Sequence, residues 1–359
     1  MLIEEGGRMD KETSRKIVFL NFILTCFMVS YHTVSLHESL ALNSWDLRFS
    51  HGFVHMFGTM GNFAMCYFFF ISAYLLFRKY ELRDYPTKIK KRITSLLIPY
   101  FVWQTIITIL DIIQKQYVFN LHDIFARTVL IEKFPQDGPL WYVLVIFYLA
   151  LLSPILLVIF KQKKLGWVFV VTITVGIQLL FRLPYQIVKN FIQFGLMENV
   201  LYYLPCYLVG AYFGKYEKEF DSKKSIQYVL SLICVAFLLE GFVKTVFVNA
   251  AKVMLPILVF YLLPAIKNFK MRDVYNLTFL MYAIHQPLIY DLWDMMSQFW
   301  INLHLPIAVY NLFARFIILA LTITISMCIY HVFIRFCPKL LEILTGGRQA
   351  VIQRKELEN

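Results

Sequence analysis

The sequence predicts an all-α polytopic membrane bundle, a single domain over residues 1–359 with about ten transmembrane helices. Three observations predict it. Apolar side chains make up 59% of the 359 residues. Charged side chains make up only 16%, where soluble domains carry about a quarter. Uncharged stretches near membrane-spanning length recur along the whole chain. This composition excludes a disordered chain, a nucleic-acid-binding domain and an ordinary soluble enzyme.

A bilayer core about 30 Å thick needs ~20 apolar helical residues. Runs that reach or approach that length occupy 17–36, 52–77, 93–110, 139–160, 165–181 and 199–214. Four more follow at 226–243, 246–264, 274–293 and 306–334, interrupted by Glu240, Lys252, Asp291 and Arg315 respectively. Pro99 breaks and then resumes the third span, and Gly138-Pro139 opens the fourth. Residues 8–41 resemble a signal peptide, but the apolar run is too long and carries Asn21, Thr25 and His32. The connecting segments are short and show neither a linker nor an internal repeat.

Lys and Arg set the direction. With the N-terminus cytoplasmic, the inner segments carry 26 of the 35 basic residues and the outer segments carry 8, Lys252 being counted with the outer side. Both ends therefore lie inside, with 1–16 and 337–359 as cytoplasmic tails. This placement accounts for the net charge of +12 without a nucleic-acid partner. Five of the six cysteines fall inside apolar runs, with no CxxC and no His-Cys cluster. Neither a disulfide framework nor a metal site is indicated.

Polar residues inside a bilayer are costly, so each is a candidate functional residue. The first span holds Asn21, Thr25 and His32. An 11-residue step returns within about 20° on a helix, so Asn21 and His32 share one face three turns apart. The second span carries His55 and Asn62 on one face, with His55 at a depth comparable to His32. Gly58 and Gly61 there also permit plain close packing. The densest basic cluster, Arg78-Lys79 and then Lys88, Lys90, Lys91 and Arg92, serves orientation or an anion site. Trp141 and Tyr142 open the fourth span, where an aromatic belt is the plainer explanation. In the ninth span His285 precedes Gln286-Pro287, where proline frees a backbone carbonyl.

These residues, in this order, resemble the acyltransferase-3 family of integral-membrane O-acyltransferases, from about residue 12 to 336. His32 matches the family's first-span histidine, and Asn21 stands where the family carries a basic residue eleven positions earlier. Phe69 through Tyr74 match the small-residue signature after a Phe pair, with Ala73 where Gly is common. Arg92 matches the first member of a paired-arginine motif, and Ser95 replaces the second. The proline-aromatic start of span three, Leu140-Trp141-Tyr142 and His285-Gln286-Pro287 also resemble family patterns.

The resemblance implies transfer of an acyl group, commonly acetyl from cytosolic acetyl-CoA, to a hydroxyl of an extracytoplasmic glycan. No cofactor is bound permanently; acetyl-CoA or another acyl-CoA is the donor substrate. The acceptor is a cell-surface polysaccharide or lipid-linked sugar, and the site is the plasma membrane of a bacterium. His32 is expected as the general base, an imidazole being suited to that task near neutral pH. His285 supports it, and Arg92, Lys91 and Lys88 hold the donor phosphates. Asn21, Thr25, His55, Asn62 and Trp141 complete the expected substrate site. A transporter or flippase of lipid-linked sugars is the competing class, with Arg315, Glu240 and Lys252 as its coupling charges.

Overall fold

The computed structural model describes residues 11–114, 116–130, 132–181, 183, 195–216, 259–260 and 273–347. The seventh and eighth expected spans, with Glu240 and Lys252, lie outside the described residues apart from 259–260. Among the described residues every regular element is helical. Five helices are long and apolar enough to cross a membrane, and a sixth span is formed if one bent pair is counted together.

Helix α1 runs over Lys11–His32, so residues 11–16 are helical, and His32 is its last residue. Helix α2, Ser44–Phe77, is 34 residues long, or about 51 Å at 1.5 Å per residue. It begins eight residues before the expected start of span two, and it outruns an apolar core by several turns. The early start has a local cause: the Asn43 side chain accepts the Asp46 N–H at 2.9 Å. It also has a distant one. The buried Asp46 carboxylate accepts the N–H groups of Ile307 at 3.0 Å and Ala308 at 2.8 Å, at the start of the last long helix.

From Ala64 to Ala73, α2 is buried on every side, as expected for the central helix of a bundle. Its main partner is α9, Met197–Lys215. A Cβ at Gly210 would strike the Phe70 carbonyl, and one at Gly214 the Tyr74 carbonyl. This four-residue glycine spacing lets two backbones meet where lipid provides no hydrophobic drive.

Helix α3, Tyr85–Arg92, passes through a π-helical turn, Ile93–Leu97, into α4, Ile98–Ile113. Pro99, which has no N–H to give, therefore produces a wide turn just before itself rather than a break. A short helix α5, Leu121–Thr128, crosses the following loop, where Asp123 accepts from Tyr117, Arg127 and Lys133. Those three donors hold its carboxyl well below the usual range. The expected fourth span is two helices, α6 over Trp141–Leu151 and α7 over Ser153–Ile159, bent by 51°. Pro154, in the first turn of α7, accounts for the bend.

Helix α8 covers Lys163–Leu180, α10 Thr278–Asn302 with Pro287 inside it, and α11 Ile307–Phe336. Part of the expected C-terminal tail is a further helix, α12, Pro338–Thr345. It buries Leu341 and Leu344 and is tied to α4, the Trp103 indole N–H donating to the Leu344 carbonyl at 3.0 Å. Gly346, at φ 65°, ends α12 against the Ser95 backbone, a close approach in a left-handed conformation that requires glycine.

Candidate functional site

A cavity of about 1040 Å³ opens at the end of the bundle that carries the basic cluster, at the upper end of the range for small-molecule sites. Its mouth is lined by Arg78, Lys79, Arg83, Lys88, Lys91, Arg92 and Lys215, against only Glu81 and Asp84. Arg92 is fixed at its wall: Nη1 donates to the Ser72 hydroxyl at 3.2 Å and Nη2 to the Ser72 carbonyl at 3.0 Å. The π-helical turn that follows Arg92 places Ser95 on the same wall.

Deeper in, the lining changes to Asn21 and Thr25 of α1, Phe68 and Ile71 of α2, Tyr142 of α6 and Phe279 and Tyr282 of α10. The Asn21 Oδ1 and the Thr25 hydroxyl oxygen are both buried and have no hydrogen-bond partner among the described residues. Such atoms are few in folded proteins and expensive in a membrane. Here they border a cavity large enough to admit a polar ligand.

The structure brings together the two histidines singled out in spans one and nine. The His32 and His285 rings lie 5.2 Å apart, centroid to centroid, and the Tyr282 ring lies 5.7 Å from that of His285. His285 is fully buried, and its Nδ1 lies 2.8 Å from the Tyr282 carbonyl. A carbonyl can only accept, so Nδ1 carries the proton, and in the neutral ring Nε2 carries the lone pair. That Nε2 is buried and has no partner among the described residues. Neither imidazole lines the cavity; Tyr282 stands between its inner end and His285.

The remaining expected site residues lie apart from this pair. His55 is exposed on α2, its carbonyl accepting the Thr59 hydroxyl at 3.0 Å, and the ring neighbours of His32 are Tyr31 and His285. Trp141 is buried against Phe69 and Tyr203, at 5.9 and 6.0 Å, rather than at an interface. Asn62 joins the same aromatic group, its Oδ1 accepting the Tyr203 hydroxyl at 2.9 Å. Lys88 and Lys91 line the cavity mouth beside Arg92.

Two features escaped the sequence reading. On α11 the buried residues Asn311, Arg315, Thr322 and Ser326 form one face, and their spacings of four, seven and four would have shown it. Arg315 donates to the Ser35 hydroxyl at 2.8 Å and to the Asn311 carbonyl, and it covers the Phe57 ring at 4.9 Å. Asn311 accepts the Leu36 N–H at 3.0 Å and donates to the Ser50 hydroxyl at 2.6 Å. The span-ten arginine thus holds the chain just past His32. The second feature is Asp137, 1% exposed before the fourth span, with its backbone bonded both ways to the Gln104 side chain. Burial, then the nearby Asp111, pushes its carboxyl well above the usual range.

A family model described as an acyltransferase domain, of the acyltransferase-3 family, matches residues 17–331. The match takes in both histidines, Arg92 and every wall of the cavity. No curated protein and no solved structure matches the chain.

Proposed function

The chain belongs to the acyltransferase-3 family and is a membrane acyltransferase; we propose that it moves an acyl group, most simply acetyl, from cytosolic acyl-CoA to a hydroxyl of an extracytoplasmic glycan. One observation carries this reading: a cavity rimmed by seven basic side chains ends one tyrosine short of the buried His285, whose ring meets that of His32. CoA is polyanionic at one end and has a thin, amide-bearing arm at the other. The rim suits the phosphates, through Arg92, Lys91 and Lys88. Asn21 and Thr25 give the arm polar partners deeper in. In this reading the chain has ten spans with both ends cytoplasmic, in a bacterial plasma membrane, so the rim faces the cytosol.

The chemistry follows from the imidazoles. A sugar hydroxyl attacks the thioester carbonyl well only if its proton leaves as the new C–O bond forms. His32, at the far end of α1, takes that proton. The Nε2 lone pair of His285 accepts the N–H of the resulting imidazolium, the orienting role that the third member of a triad plays. The C–S bond then breaks, and the proton passes from His32 to the departing thiolate, so CoA leaves as the thiol. The acyl group crosses to the far face while the sugar stays there.

Mass spectrometry of surface glycans from cells with and without the gene tests this reading. An ester-sized mass loss on deletion is expected. Loss of the glycan itself, with unchanged mass per repeat, favours the transporter reading instead.

A further inference from the structure

We infer that Tyr142 and Tyr282 form an aromatic partition that sets the length of acyl group the enzyme accepts. The inference rests on the cavity being the acyl-CoA site. The two rings lie 6.3 Å apart, edge to face, at the deep end of the cavity. Both are pinned by their hydroxyls to backbone carbonyls of other elements. Tyr142 donates to Phe68 on α2 at 2.8 Å, and Tyr282 donates to Pro139 in the turn before α6. Tyr282 is 6% exposed. Swinging either ring aside gives up the bond that holds its hydroxyl.

The partition stands where the acyl group must lie. Tyr282 is a lining residue of the cavity and a ring neighbour of His285, whereas neither imidazole lines the cavity. A thioester that reaches the imidazoles from the cavity places its carbonyl beside Tyr282 and Thr25. The acyl tail beyond that carbonyl then meets two fixed rings rather than open space. The walls around it, Phe68 and Phe279 with Tyr142, are aromatic and packed. A short acyl group fits this chamber, and each added methylene must displace a ring whose hydroxyl is tethered. One methylene too many in such a pocket typically costs 10–200-fold.

The test uses the full chain in lipid nanodiscs and measures binding of free CoA and of ethyl-, butyl- and hexyl-CoA thioethers, which need no acceptor. In the parent, affinity should fall at least tenfold from ethyl to hexyl. Tyr142→Ala should raise the hexyl-to-ethyl affinity ratio at least tenfold, with free CoA bound as in the parent. Tyr142→Phe, which keeps the ring and loses the tether, should move the ratio less than Tyr142→Ala. If Tyr142→Ala does not accumulate, Tyr142→Leu carries the same expectation. An unchanged ratio in an opened variant that binds CoA normally overturns the inference and leaves the donor site standing. Failure of the parent to bind free CoA overturns both, because the cavity is then no donor site.

Discussion

The two ends of α1 solve the problem of polar groups in a membrane in opposite ways. Near the basic end, Asn21 and Thr25 present to a large cavity buried oxygens that have no partner among the described residues. Past the other end, the chain is fully held. Thr33 donates back to the Val29 carbonyl at 3.1 Å, Ser35 accepts from Arg315, and the Leu36 N–H is taken by Asn311. A bilayer offers no water to repair a missing bond, so the second arrangement is what a structural role requires. The first suits a site where a ligand in the cavity completes it. His32 sits at the boundary, next to the held segment and with its ring against that of His285.

Breaking the held end should have the largest effect on stability. Asn311→Leu strips partners from the Leu36 N–H and the Ser50 hydroxyl, at about 1–3 kcal/mol for each group left unpaired. Denaturant unfolding in mixed micelles should show that loss, and a change under about 0.5 kcal/mol would mean the clamp does not matter. At the open end the effect should fall on binding instead. Arg92→Ala removes a charge-assisted contact of ~1.5–3 kcal/mol, raising the KM for acyl-CoA about 10–100-fold with stability little changed. An unaltered KM would detach Arg92 from the donor. Thr25→Val is the smallest change and the sharpest contrast with Asn311→Leu. It deletes a hydroxyl that has no partner among the described residues, so stability should hold or rise slightly, while the donor KM rises about 2–10-fold. Destabilisation by Thr25→Val would show that the two ends of α1 are alike.

Much of the fold was legible because apolar run length reports directly on spans. Where it misled, a single polar contact or a proline was decisive. The early start of α2 depends on Asn43 and on Asp46 reaching residues 307 and 308, a pairing over 260 positions apart that no local pattern shows. The bend at Pro154 was hidden because apolarity continues through it. Helix α12 does not show in the sequence because eight residues are too few to stand out, and its order comes from contacts with Trp103 and Ser95, distant in the chain. At the site, His32 and His285 were each readable as costly polar groups, but their contact is a product of packing. His55 is exposed because α2 turns that residue outward, a rotation that sequence position alone does not report. The α11 face was readable by spacing, yet Arg315 alone drew notice because a charge is conspicuous where Asn, Thr and Ser are not.

The central claim is that the His32–His285 pair performs proton transfer, and His32→Gln tests it most directly. Glutamine keeps a hydrogen-bonding side chain at the end of α1 and cannot take up a proton near neutral pH. Initial rates of acyl transfer to isolated surface glycan should be compared in nanodiscs, with the KM for acyl-CoA measured alongside. The account predicts a loss of about 10²–10⁴ in rate with the donor KM near that of the parent. A His32→Gln enzyme retaining more than about a tenth of the parent rate, well above that expected loss, would contradict it.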